Sequence, residues 1–394
     1  MKPQTNTTLP PPPAAALRQS EQLQQRIRQA VTAAKGFLPF DRYMEMALYT
    51  PHLGYYSSPT HKFGKGGDFI TAPELSPLFA LTLAGQVAEI LNSMDGGDLL
   101  EFGAGSGALA ADLLQALESR QQLPDHYLII ELSGDLQQRQ QQRLQQQVPH
   151  LLPRVEWLSS LPERPFQGVI LANELLDAMP AERFQVSASG VEECGVTVNR
   201  EGELLLTHRP LADNTPLARY LTPLCQALQL SPGYASECNL RALHWIATLP
   251  SFCQRAMVLL IDYGFPRHEF YHPQRRQGTL MCHYQMFAHS DPLRWPGLQD
   301  ITTHVDFTAI ADAALAAGMQ VRGFTSQGAF LLAAGLMHLM QPDRTEQQRL
   351  NDHNAIKRLT LPSEMGELFK VMALAYHHPF TPSGFSQQDD RHRL

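Results

Sequence analysis

The stretch LLEFGAGSGALAADLL, residues 99–114, brings a carboxylate, Glu101, to within two positions of three alternating glycines, Gly103, Gly105 and Gly107. Glycines so spaced let a backbone turn tightly and approach a ligand where side chains would clash. Three further apolar runs also end in acids: Tyr127–Ile130 in Glu131, residues 169–172 in Asn173-Glu174, and residues 258–261 in Asp262. If the runs are strands of one parallel sheet, these acids rim a single negative crevice beyond the strand ends. GAGSGA also fits the looser dinucleotide pattern G-x-G-x-x-A. A dinucleotide, however, would set a pyrophosphate on the glycine turn, and four acids would repel it. S-adenosylmethionine brings a sulfonium, an ammonium and two ribose hydroxyls, all favoured by carboxylates. Glu131 is placed for a bidentate grip on ribose hydroxyls, a role a nicotinamide enzyme would give it too. Taken singly, each acid is equally explained as a turn or cap residue. It is the four together, beside the glycine turn, that point to a cationic ligand.

The elements that position these residues follow from the surrounding pattern. The runs at Tyr127–Ile130, 169–172 and 258–261 are continuously apolar, as strands covered on both faces are. Helical patterns lie at 108–117, after Ser133 and at 240–249. The alternation predicts an α/β fold with a mostly parallel, doubly wound sheet. Upstream, GYYSSPTHKFGKGGDFITAPELSPLFA (54–80) opens as a Gly/Ser/Pro-rich loop and enters a helix near TAPELS, with Pro73 suited to an early helical position. Such a loop either folds over the open side of the crevice or lies on the surface.

With 394 residues, 43% hydrophobic and 18% charged, the chain can bury the core of one large domain with additions, or of two domains. A net charge of −7 supplies no global basic field, which argues against nucleic acid or an anionic membrane as partner. The five cysteines, Cys194, Cys225, Cys238, Cys253 and Cys282, never form a CxxC pair, so neither a disulfide framework nor a zinc knuckle is indicated. They read as reduced thiols. The opening MKPQTNTTLPPPPAAALRQ lacks the apolar core of a signal peptide, and the expected location is cytoplasmic. No stretch approaches the ~20 apolar residues of a membrane span. No histidine spacing suggests a metal, and none is expected.

A wider set of segments is more specific than the glycine turn. HLGYYSSP, FGKGGDFITAPELSPLFA, LLEFGAGSGALAADLL, LANELLDAMP, LLIDYGFP, GTLMCHYQM, DITTHVDFTAIADAA, FTSQGAFLLAAG and LPSEMGELFKVMAL, collinear from about residue 35 to 375, resemble the MidA family of class I S-adenosylmethionine-dependent methyltransferases. That family includes a mitochondrial complex I assembly factor that methylates an arginine of a core subunit. The resemblance implies a seven-stranded, Rossmann-like methyltransferase sheet. It implies cofactor contacts from Gly103, Gly105, Gly107 and Glu131, beside the strand-end candidates Glu101 and Asn173, with a loop carrying Asp68 and Thr71, and then Glu74, closing on the cofactor. It also implies a protein substrate, with an arginine of a respiratory-complex subunit as acceptor.

Methyl transfer demands alignment, exclusion of water and stabilisation of redistributed charge. An arginine acceptor is protonated at any working pH, so carboxylates must pin its planar group. NELLD offers Glu174 and Asp177 three apart, on one face if a helix begins there, and these are the candidate catalytic residues. Two features depart from better-known patterns. Asn173 is followed by Glu-Leu-Leu, not by the Pro-Pro-aromatic signature of amide methyltransferases, and the glutamate hairpin of the common arginine methyltransferases is absent. An RNA or small-molecule methyltransferase on the same fold, and a non-catalytic cofactor-binding assembly chaperone, are the alternatives.

The expected division is a disordered tail (1–20, with an extended proline run, Pro10 to Pro13) and a helical and loop region covering the cofactor (21–75). A methyltransferase core follows in two parts (76–186 and 251–336) around an inserted substrate-selection subdomain (187–250) that opens with a hairpin at Asn199-Arg200-Glu201-Gly202. A helical appendage and tail (337–394) ends the chain, in which EMGELFKVMALAY spaces Met365, Leu368, Phe369 and Met372 as a helix would and HHPFTPSGFSQQDDRHRL is disordered. The basic and aromatic residues of IDYGFPRHEFYHPQRRQ either contact RNA, face an acidic partner or stack on one another. Neither the client nor the oligomeric state is legible.

Overall fold

The computed structural model describes residues 9–58, 71–340 and 345–394. Seven strands form its central sheet: β1 (Asp98–Phe102), β2 (Tyr127–Ile130), β3 (Val155–Leu158), β4 (Phe166–Asn173), β5 (Cys253–Phe265), β6 (Gln320–Ser326) and β7 (Phe369–Tyr376). They lie in the order β6-β7-β5-β4-β1-β2-β3, with a two-residue strand, Val305–Asp306, beside the end of β5. β1 to β5 are mutually parallel, and β7 is antiparallel to both of its neighbours. This is the seven-stranded order that the resemblance implies. The chain runs outward from β1 to β3 and then returns to place β4 on the other side of β1. That reversal splays the connections apart and opens a crevice at the strand ends.

Alternate residues of the strands serve two cores. Leu99, Tyr127, Ile129, Val169 and Leu171 pack with helices Pro77–Ser93 and Ala108–Ser119 on one face. Leu100, Leu128, Ile170, Val258 and Leu260 pack with Leu240–Thr248 and Phe307–Ala316 on the other. Burial on both faces is why the runs are continuously apolar, and each such side chain contributes about 1.5–3 kcal/mol.

Four regional expectations are corrected. The supposed tail is helical from residue 14: helix Ala14–Ala33 buries Ser20, Leu23, Ile27 and Val31 along one stripe. The proline run is not a mobile lead-in either, since Leu9 and Pro12 are buried. Second, most of EMGELFKVMALAY is not helical. After one turn at Met365–Leu368 it becomes β7, buried at all but its last residue, between β5 and β6. A strand covered on both faces carries apolar residues at every position, so helical spacing can be found within it by chance. Helix Glu346–Thr360 does supply a helical addition at this end. Third, the final stretch docks on the core: Gly384 N–H donates to Gln86 Oε1 at 2.8 Å, and the Phe385 and Phe330 rings lie 5.1 Å apart.

The fourth concerns the insertion, which begins before residue 187 and is not self-contained. Strands Glu182–Ser187, Gly190–Val198, Leu204–Pro210 and Ala235–Cys238 form an antiparallel sheet, with the expected hairpin turn at Asn199 to Gly202. The N-terminal strand Leu38–Pro39 joins it through Val196 and Gly195. Helix Phe40–Tyr49 follows directly, and Arg241 bridges it to the insertion through Glu45 (3.0 Å) and Asp41 (3.2 Å). The N-terminal region and the insertion therefore form one wall beside the crevice.

Candidate active site

The crevice between β1 and β4 widens into a cavity of about 280 Å³. Glu101, Gly103, Gly105, Glu131, Asn173, Glu174, Asp177 and Thr71 line it, together with Tyr49, Tyr56 and Trp245. Four carboxyl groups and no basic side chain face this space among the described residues.

The glycine turn is built as the sequence requires. Gly103, Gly105 and Gly107 have φ of 68°, 52° and 80°, in the left-handed region. Gly107 nevertheless stands off the cavity. It caps helix Ala108–Ser119, and a Cβ there would lie 3.1 Å from the Gln140 Cα, so its work is to seat one helix on another. Gln140 repays that closeness by spanning the site from below: its Nε2 donates to the Gly105 carbonyl and to Glu131 Oε2, both at 3.0 Å, while its Oε1 accepts from Trp157 Nε1. Glu131 Oε1 also accepts the Ser133 N–H at 2.9 Å, so its carboxylate is oriented from both sides.

Glu101 accepts the Tyr127 hydroxyl at 2.7 Å, and burial pushes its carboxyl up to about 7. Glu74 lies away from the cavity lining. It pairs with Arg143 at 3.0 Å and accepts the Ser106 hydroxyl, tying the segment after Thr71 to the glycine turn. Asp68 lies outside the described residues.

Glu174 and Asp177 meet without a helix. The residues after β4 form a turn, with Glu174 at φ 50°, a conformation that disfavours non-glycine residues and is held here by its N–H to the Ile261 carbonyl at 2.8 Å. The clamp on this turn is Asp262. Its Oδ2 accepts the Leu176 and Asp177 N–H groups at 2.9 and 3.3 Å, and its Oδ1 accepts the Tyr263 N–H. Asp262 is 1% exposed and absent from the lining, so the fourth strand-end acid shapes the crevice and does not rim it. Its carboxyl is held well above the usual range by burial, with Asp177 and Glu174 adding repulsion. Asn173 Nδ2 donates to Glu174 Oε1 at 3.2 Å, and the Ala72 backbone reaches the same carboxyl. Burial, then the Asp177 charge, pushes Glu174 up to about 8; burial pushes Asp177 up to about 6. Asp177 Oδ1 and Asn173 Oδ1 are buried and have no hydrogen-bond partner among the described residues.

Orphaned acceptors and raised carboxyls gathered in one cavity suit a cationic ligand. A family model described as S-adenosyl-L-methionine-dependent methyltransferase matches residues 82–325. The chain belongs to this family. A solved COG1565 superfamily member from Burkholderia thailandensis, bound to S-adenosyl-homocysteine, superposes with a TM-score of 0.93 at 44% identity, covering 98% of this chain and 100% of that one. Protein arginine methyltransferase NDUFAF7 homologues named mitochondrial match at 29% identity in Drosophila melanogaster (86% of this chain, 82% of the relative) and at 29% in Danio rerio (86% and 84%). The protein is thus an S-adenosylmethionine-dependent methyltransferase. The expected cytoplasmic location is overturned, because these relatives are named mitochondrial. Unpaired cysteines are compatible with any reducing compartment, so cysteine usage was a poor guide.

The cavity suits this cofactor: its acids match an ammonium and a sulfonium, and the oriented Glu131 carboxylate matches a ribose diol. Sequence reasoning missed Tyr49, Tyr56 and Trp245 as cavity walls. The HLGYYSSP segment carries one of them, yet nothing in its spacing says that it reaches the strand ends.

Proposed function

We propose that this methyltransferase modifies a protein, at an arginine side chain, with a subunit of a complex I-like respiratory assembly as the client. The observation that carries the acceptor assignment is the Glu174–Asp177 pair, two carboxyls in one cavity with an unpartnered Asp177 Oδ1 and no basic neighbour among the described lining residues. The names of the curated relatives support the same acceptor.

In this reading Glu101, Gly103, Gly105, Glu131, Asn173 and Thr71 hold the cofactor, and Gly107 and Glu74 support it from behind. When bound, S-adenosylmethionine supplies a methyl group on a cationic sulfonium. Glu174 and Asp177 pin the guanidinium edge, draw positive charge toward the nitrogens they bond, and leave the third nitrogen aimed at the methyl. A neutral Glu174 cannot do this, so the arriving cation drives its ionisation, with the proton leaving to solvent; after transfer the carboxylate accepts a proton from a nitrogen it bonds, which leaves the methylated guanidinium singly charged. Asp262 keeps both carboxyls in register through the turn it clamps.

The experiment is transfer of labelled methyl from S-adenosylmethionine into a lysate of cells lacking this gene, resolved into protein, RNA and small-molecule fractions. The expected label is one protein band that hydrolyses to methylarginine, and it disappears with Glu174→Gln. Label in RNA or small molecules would overturn the assignment.

A further inference from the structure

The acceptor end of the cavity has an aromatic wall beside its acids. Tyr49 and Tyr56 both line the space, and their rings are stacked with centroids 5.5 Å apart and planes at 27°. Each ring is fixed at its hydroxyl. Tyr49 donates to the Ala178 carbonyl at 2.9 Å, next to Asp177, and Tyr56 donates to Asp300 Oδ1 at 2.9 Å. Tyr56 is fixed at its backbone too, where its carbonyl accepts the Ser133 hydroxyl at 2.7 Å, and Tyr55 packs edge-on at 5.0 Å. Asp300 is 2% exposed and stands outside the cavity lining, behind the Tyr56 hydroxyl that it accepts. Asp177, 3% exposed, presents Oδ1 without a partner among the described residues.

From this arrangement we infer that Tyr56, positioned by Asp300 and backed by Tyr49, selects a planar guanidinium over an ammonium at the acceptor end. The inference rests on the arginine reading above. A guanidinium is flat, weakly hydrated and delocalised, so it can lie on a ring face while its edge reaches carboxylates. An ammonium is a compact, strongly hydrated charge. Against an aromatic wall the ring attracts it too, but it gives up more water and cannot lie flat on the face. Tyr56 is then a specificity-determining residue and Asp300 a positioning residue, while Glu174 and Asp177 attract either cation.

The test uses the full chain saturated with S-adenosylhomocysteine and titrates ethylguanidinium and propylammonium by NMR. Wild type should prefer ethylguanidinium by roughly tenfold, and Tyr56→Leu should bring the ratio near one with S-adenosylhomocysteine affinity changed less than about twofold. An unchanged ratio in Tyr56→Leu overturns this inference and leaves the arginine reading standing. Wild type that fails to bind ethylguanidinium overturns both. If Tyr56→Leu loses S-adenosylhomocysteine, Asp300→Ala decides: with its tyrosine released, the ratio should fall about threefold or more, and an unchanged ratio overturns the proposal.

Discussion

At the scale of residues, the acids of this site are distinguished by what surrounds each one. Glu131 is held by Ser133 and Gln140, whereas burial raises both Glu174 and Asp177, and the Asp177 charge raises Glu174 further. With acceptor limiting, turnover should rise with pH through the ionisation of Asp177 near 6 and of Glu174 near 8, because only the carboxylates hold a cation. A rate that falls over that interval contradicts the assignment. Glu174→Gln should lower turnover by roughly 10²–10⁴ while calorimetric cofactor affinity is retained. Asp262→Ala strands the Leu176 and Asp177 N–H groups, and should cost about 1–3 kcal/mol in denaturant unfolding and lower kcat more than it raises KM. Glu101, Glu131 and Glu174 were legible as cavity acids because each follows an apolar run. Asp262 follows one as well, yet its side chain turns back onto the neighbouring loop, a choice that spacing does not record.

At the scale of elements, the core strands and their helices could be read because burial on both faces leaves unbroken apolar runs. The same property hid β7, because Phe369 and Met372 within it continued a helical spacing begun by Met365 and Leu368. The terminal segments were misread for a different reason. Their composition is polar and proline-rich, and what orders them is distant in sequence: Phe385 sits over Gly323, where any Cβ would strike its ring, and Ser383 bonds Glu89. Phe385→Ala should therefore destabilise the folded protein by about 3–5 kcal/mol, as for a buried core phenylalanine, despite its place in an apparently dispensable tail. An unfolding free energy equal to wild type would show that the tail is not docked. Glu174 and Asp177 were expected on one helical face; a turn clamped by Asp262 brings them together instead.

At the scale of the whole molecule, the structure concentrates carboxyls whose protonation is raised by folding. Glu101 and Glu182 lie near 7, Glu174 near 8 and Asp177 near 6, against roughly 4 for unfolded carboxyls. Between those values the folded chain binds more protons than the unfolded one, so the stability of the ligand-free protein falls as pH rises from about 4 to 8. Thermal unfolding should show a lower midpoint at pH 8.5 than at pH 6, and S-adenosylmethionine should raise the midpoint more at the higher pH, where the carboxylates it meets are already charged. A ligand-free midpoint that climbs across this range would contradict the account. The most direct measurement of its central claim is quantitative mass spectrometry of arginine methylation in cells with the wild-type gene, without it, and with only Glu174→Gln. One protein arginine, methylated in the first and bare in the other two, is the predicted result. Identical arginine methylation in all three would contradict it.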